Sequence, residues 1–270
     1  MKYVLTLMIF VSGLAHGITC TNLPAGAAAL GYTTQLFYDQ PSLAEVSTTD
    51  TDSISKWYPG TDANLASRNL ASLEFLSMQD SELVIALGGG ISSETHTSKL
   101  GGLPFLSGAQ GFYVEIAMHL SDNDSDHFIG LFLQTVEHDL AKDDHLATDP
   151  PGYEHWTEID LSESGYGPGS LNSVMNWVGI WPHYVPHVIN NYGHEAAVDW
   201  TKEHRLGVSY DPKTDVLQYY LDDVLTFKTS PPPPDSVIKL FHYYLVMEAG
   251  SHGSHIPYTM FVRYVTAYTK

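Results

Sequence analysis

The chain has 270 residues, of which 31 are acidic and 12 basic, for a formal net charge of -19. A surface of that sign repels nucleic acid, anionic lipid and polyanions generally, so a neutral partner fits best. A single cysteine excludes an internal disulfide, and no stretch reaches the roughly 18 consecutive apolar residues of a membrane-spanning helix.

Residues 1–17 read as a signal peptide, with Lys2 at the start, an apolar run of about ten residues and a small-residue ending, cut after Gly17. The mature protein is then expected to be secreted, soluble and extracellular. Cys20 falls just beyond the cut, where Gly17-Ile18-Thr19 matches a lipoprotein signal poorly and leaves it an inert residue. Residues 18–270 are of a length that one large all-β domain reaches, and one domain is expected.

Along this domain, residues 64–78 fit either a helix or two short strands, because Leu65, Leu70, Leu73 and Leu76 are only loosely periodic. Gly88-Gly89-Gly90 and Gly101-Gly102 bracket a flexible segment and lack the spacing of a phosphate-binding loop. Asp122 to Asp126 begins like a calcium loop. However, His127 stands where glycine is needed and Leu133 where the bidentate glutamate belongs, so a solvated loop is expected. Asn123-Asp124-Ser125 is a glycosylation sequon. Residues 206–210 alternate as a strand and meet a turn at 211–213; 217–220 and 224–227 flank Asp222-Asp223 as a hairpin. Pro231 to Pro234 form an extended loop. Phe241 to Met247 and Tyr258 to Tyr268 carry bulky residues on both faces, as strands held between layers do. Short strands separated by Gly, Pro and Asp turns predict an all-β, two-sheet antiparallel sandwich.

Trp156-Thr157-Glu158-Ile159-Asp160-Leu161-Ser162-Glu163 is the most informative stretch. Strand side chains alternate, so Glu158 and Asp160 share one face while Ile159 and Leu161 point to the core. Glu163 is out of phase by one. A β-bulge at Leu161-Ser162 restores the phase and puts three carboxylates in a row. With strand steps of about 3.3 Å and glutamates leaning inward, the carboxyl groups of Glu158 and Glu163 come to roughly 5 to 6 Å, near the separation used by retaining glycosidases. Crowding forces the acids' pKa values apart and leaves one protonated at neutral pH.

The hexapeptide Glu158 to Glu163 resembles the signature of glycoside hydrolase family 16 in its bulged, laminarinase-like form. The resemblance extends to Ser55-Lys56-Trp57, Gly111 to Glu115, Tyr219 to Leu225 and Tyr264 to Tyr268, and spans residues 35 to 270. It implies a jelly-roll sandwich with a cleft on its concave face. It also implies Glu158 as nucleophile, Asp160 as its hydrogen-bonded helper and Glu163 as general acid and base. It implies no cofactor and leaves room for a structural calcium ion. The chain departs from the pattern at Phe128 to Leu133, where relatives are tryptophan-rich, and at Asn176 before Trp177, where relatives carry histidine. Trp156, Trp177, Trp181 and Asn176 are the expected substrate contacts, with core packing an equal alternative for the tryptophans. Trp57 and Trp200 are expected in the core.

Fourteen histidines invite a metal reading. His183 with His187, and His252 with His255, have tolerable spacings, but His194-Glu195 lacks a second histidine at Val198, and hydrogen bonding is the expected role. The function so implied is a monomeric, endo-acting retaining hydrolase of β-1,3- or mixed β-1,3/1,4-glucan. A sulfated substrate is disfavoured by charge. A binding-only protein of the same fold and a transglycosylase are the alternatives.

Overall fold

The computed structural model describes residues 23–49, 55–60, 70–93, 103–124, 127–141, 144–163, 171–192, 198–229, 236–251 and 257–270. The signal peptide, Cys20, Gly101-Gly102, Ser125, His194, Pro231 to Pro234, His252 and His255 lie outside them. Sixteen strands numbered in chain order among the described residues form two antiparallel sheets. The first sheet contains β1 (Thr34–Asp39), β3 (Leu76–Gln79), β4 (Glu82–Ala86), β7 (Phe112–Leu120), β12 (His204–Asp211), β13 (Val216–Leu221), β14 (Val224–Lys228) and β16 (Thr259–Thr269). Its order is β14-β13-β12-β7-β16-β4-β3, with β1 also on β16. The second sheet contains β2 (Tyr58–Pro59), β5 (Gly90–Ser92), β6 (Leu106–Ser107), β8 (His127–Thr135), β9 (Glu154–Glu163), β10 (Leu171–Ile180), β11 (His183–Tyr192) and β15 (His242–Ser251). Its order is β11-β10-β9-β8-β15-β5-β2, with β6 also on β15.

The core lies between the sheets and follows the alternation of each strand. Val114, Ile116 and Met118 of β7 meet Ile129, Leu131 and Leu133 of β8, Ile159 of β9, Val174 of β10 and Tyr243, Leu245 and Met247 of β15. The intervening positions of β15 are apolar too. Tyr244 and Val246 pack with Phe132 on the far side of the second sheet, which is why residues 241–247 read as apolar without a break. The first sheet's outer face is partly closed by the short helix α1 (Ala25–Ala29), whose Ala27 packs against Tyr32, Tyr113, Tyr220 and Tyr268.

Local chemistry explains several connections. Asp222 and Asp223 both have positive φ, 50° and 67°, the conformation a two-residue turn needs to match the twist of the strands it joins. Of residues 64–78, the described part, from residue 70, is a 3-10 segment, Leu70–Phe75, leading into the strand β3. Loose leucine spacing is satisfied there by burying Leu76 alone of the strand's four residues. The calcium-like loop ends in an internal contact, with His127 Nε2 2.5 Å from Asp122 Oδ1. Trp57 is fully buried, its indole N–H donating to Asp39 at 2.6 Å, and Trp200 packs against the core edge, both as expected.

Candidate active site

The site begins with a mismatch in pairing. On β8, Phe132 faces Asp160 while its neighbour Leu131 faces Ser162, so Leu161 is an extra residue on β9. The same slip occurs against β10, where Ser173 pairs with Asp160 and Leu171 with Glu163. This is the expected bulge. Asn172 pins it from beneath: its side chain is buried and donates Nδ2–H to the Leu161 carbonyl at 2.5 Å. Beyond the bulge Glu163 returns to the face of Glu158 and Asp160. One carboxylate oxygen from each of the three lies within 4.8 Å of the others, somewhat closer than the spacing expected from strand geometry.

The three acids sit in different surroundings. Asp160 is 0 % exposed and accepts the Ser173 hydroxyl. Burial first, then the charges of Glu158 and Glu163, holds its carboxyl well above the ordinary range. Glu163 is 9 % exposed, and burial followed by the charge of Glu158 pushes its pKa up to about 8. Glu158 is half-buried and accepts a 2.6 Å hydrogen bond from the Gln134 amide, the kind of donor that favours a carboxylate in its ionised form. At neutral pH burial and the neighbouring Glu158 favour a protonated Glu163. Among the described residues this trio is also the group able to hold a cation. Burial favours a proton there over three adjacent negative charges.

The aromatic residues divide. Trp156 and Trp177 pair across β9 and β10 and stack at 5.3 Å with planes 10° apart. His138, on the Glu137–Ala141 turn after β8, stacks on Trp156 at 5.4 Å and 14°. Both tryptophans are half-buried on the same face as the acids, and Trp156 stacks with His138 as well as with Trp177. Trp181 is 72 % exposed in the turn between β10 and β11, edge-on to Tyr184. It lies roughly 25 Å along β10 from Ser173 at about 3.3 Å per residue, too far to join the acids.

Asn176 sits apart from the acids. It pairs with Thr157, accepts that residue's hydroxyl at 2.8 Å and is 0 % exposed. The phase of β10 puts Met175 and Trp177 on the acids' face and turns Asn176 into the layer between the sheets, away from the acids. The residues that do surround the acids, Gln134, Ser173 and the bulge-pinning Asn172, carry no motif of their own. Only strand parity on β8, shared by Phe132 and Gln134, pointed to the correct face.

No protein-family profile and no curated protein matches this sequence. Solved structures do match. LamAcat from Zobellia galactanivorans superposes with a TM-score of 0.54 at 13 % identity, covering 89 % of this chain and 99 % of that one. A laminarinase from Flavobacterium sp. UMI-01 gives 0.53 at 11 % identity, covering 87 % and 100 %. The fold is that of the laminarinases. An immunostimulatory antigen and pseudo β-1,3-glucanase of Mycobacterium tuberculosis shares this laminarinase fold, with a TM-score of 0.51 at 16 % identity over 88 % of this chain and 100 % of that one. A pseudo-glucanase on the same sandwich means that activity has to be argued from side chains and not from the fold.

Proposed function

We propose that this protein is an endo-acting, retaining glycoside hydrolase of a neutral polysaccharide, β-1,3- or mixed β-1,3/1,4-glucan, exported and acting as a monomer without a cofactor. The observation that carries the reading is the pair Glu158 and Glu163, on one face of a bulged strand with carboxylate oxygens within 4.8 Å. That spacing admits direct attack, whereas an inverting pair stands roughly 6.5–9.5 Å apart to hold a water between them. The net charge of -19 supports a neutral substrate.

The chemistry follows from the two environments. Glu163 gives its proton to the glycosidic oxygen as the C1–O bond breaks, and the Glu158 carboxylate forms a bond to C1. Glu163, now ionised, takes a proton from water as the water oxygen attacks C1 and the Glu158 carboxylate leaves. Asp160, between the glutamates and hydrogen-bonded by Ser173, is held mostly protonated by burial and so adds little negative charge beside them. An acceptor sugar in place of water would make the same intermediate a transglycosylation step.

The test is release of reducing ends from laminarin and lichenan, with agarose, xyloglucan and a sulfated galactan as comparisons. Glu158→Gln and Glu163→Gln should each lower kcat by about 10³-fold or more while the fold is retained. Full activity in either variant, or strong preference for the sulfated polymer, would refute the assignment.

A further inference from the structure

Gln134, which donates to Glu158 Oε2 at 2.6 Å, is itself in contact with a second group: its Oε1 lies 3.4 Å from the hydroxyl of Tyr244 on β15. That hydroxyl also lies 2.9 Å from Oδ2 of Asp139 on the Glu137–Ala141 turn. A phenol has one proton, so Tyr244 donates to Asp139 or to Gln134 and serves both fully in neither case. While Asp139 is ionised, its shorter, charge-assisted contact wins the proton. If that charge is removed, the proton turns to Gln134 Oε1, polarises the amide and strengthens the N–H that faces Glu158.

We propose that Tyr244 and Asp139 are positioning residues that tune the nucleophile Glu158 through Gln134, the hydroxyl proton of Tyr244 being shared between the two acceptors. This rests on Glu158 acting as the nucleophile. Among the described residues, the charged groups facing Glu158 include Asp160 and Glu163 of its own strand; β10 presents Met175 and β8 presents Gln134, neither of which titrates. Around Asp139 stand Glu137 and His138 on its own turn, and Tyr184 of β11, whose phenol feels the charges of both Asp144 and Asp139. Asp144 holds His138 Nδ1 at 2.5 Å, and His242 of β15 is held by Glu137 at 2.7 Å.

The experiment compares Asp139→Asn in the native background with Asp139→Asn in a Tyr244→Phe background; both changes preserve the side-chain skeleton. Glu158 is followed by carbon NMR of labelled glutamate carboxyls, its signal assigned by loss in Glu158→Gln. Removing the Asp139 charge favours ionised Glu158 in both backgrounds through space. With the hydroxyl present the titration midpoint should fall by about half a pH unit more than without it. In turnover, the acidic limb of kcat/KM should move by the same distance, about threefold in activity on the acid side, with KM unchanged. Equal displacements in the two backgrounds would reduce Asp139 to a distant charge and overturn the proposal. Because the NMR comparison needs no turnover, a protein that cleaves no glycan would sink the glycosidase reading while the comparison still decides the proton-sharing one.

Discussion

Replacing Glu163 by glutamine separates what this carboxyl contributes to chemistry from what it costs the fold. Burial and the neighbouring Glu158 push its pKa from an ordinary 4.5 up to about 8. Between those two values the folded chain carries a proton that the unfolded chain has lost. Stability therefore declines as pH rises through the window, by about 1.4 kcal/mol per pH unit. Over the whole interval this amounts to about 5 kcal/mol at most, since part of the effect is shared with Asp160, whose carboxyl is raised by the same neighbours. Glu163→Gln keeps the shape and removes the titration. Chemical denaturation at pH 5, 7 and 9 should find the variant's advantage over the native protein smallest at pH 5, growing through pH 7 and levelling off above pH 8. If the protein is the proposed hydrolase, its kcat/KM profile should fall on the alkaline side near pH 8, and that limb should vanish in the variant together with most of the activity. A stability difference that is constant with pH, or that grows toward acid, would refute the claim that Glu163 is held protonated by its surroundings.

Asn172→Ala removes the donor that fixes the Leu161 carbonyl and leaves a buried acceptor unpaired, so it should cost about 1–3 kcal/mol in denaturation and lower kcat further than that loss of folded protein explains, because Glu163 is no longer held in phase. Asn176→Val, on the same buried face of β10 as Asn172 and turned away from the acids, should cost about 1–3 kcal/mol by removing the acceptor of the Thr157 hydroxyl, yet leave KM within about twofold; a large rise in KM with stability intact would return Asn176 to the substrate side.

Much of this was legible in the residues themselves. The alternation through β9, the turn acids Asp222 and Asp223, and the doubly apolar strands at residues 241–247 and 258–268 are local patterns, set by side-chain periodicity and by the few conformations a backbone allows. Even the bulge was implied, because Glu163 cannot share a face with Glu158 and Asp160 without one extra residue between them. What stayed hidden was register. Whether Asn176 or its neighbours Met175 and Trp177 faces the acids depends on how β10 hydrogen-bonds to β9, and whether Gln134 or Leu133 meets Glu158 depends on β8, choices made between strands far apart in the chain. A slip of one residue exchanges the two faces while leaving each strand's own pattern unchanged. The contrast between the acids likewise arose only on assembly, since of two identical side chains Glu158 is half-buried and accepts the Gln134 amide while burial and the neighbouring charge raise Glu163, surroundings that exist only once the strands have paired.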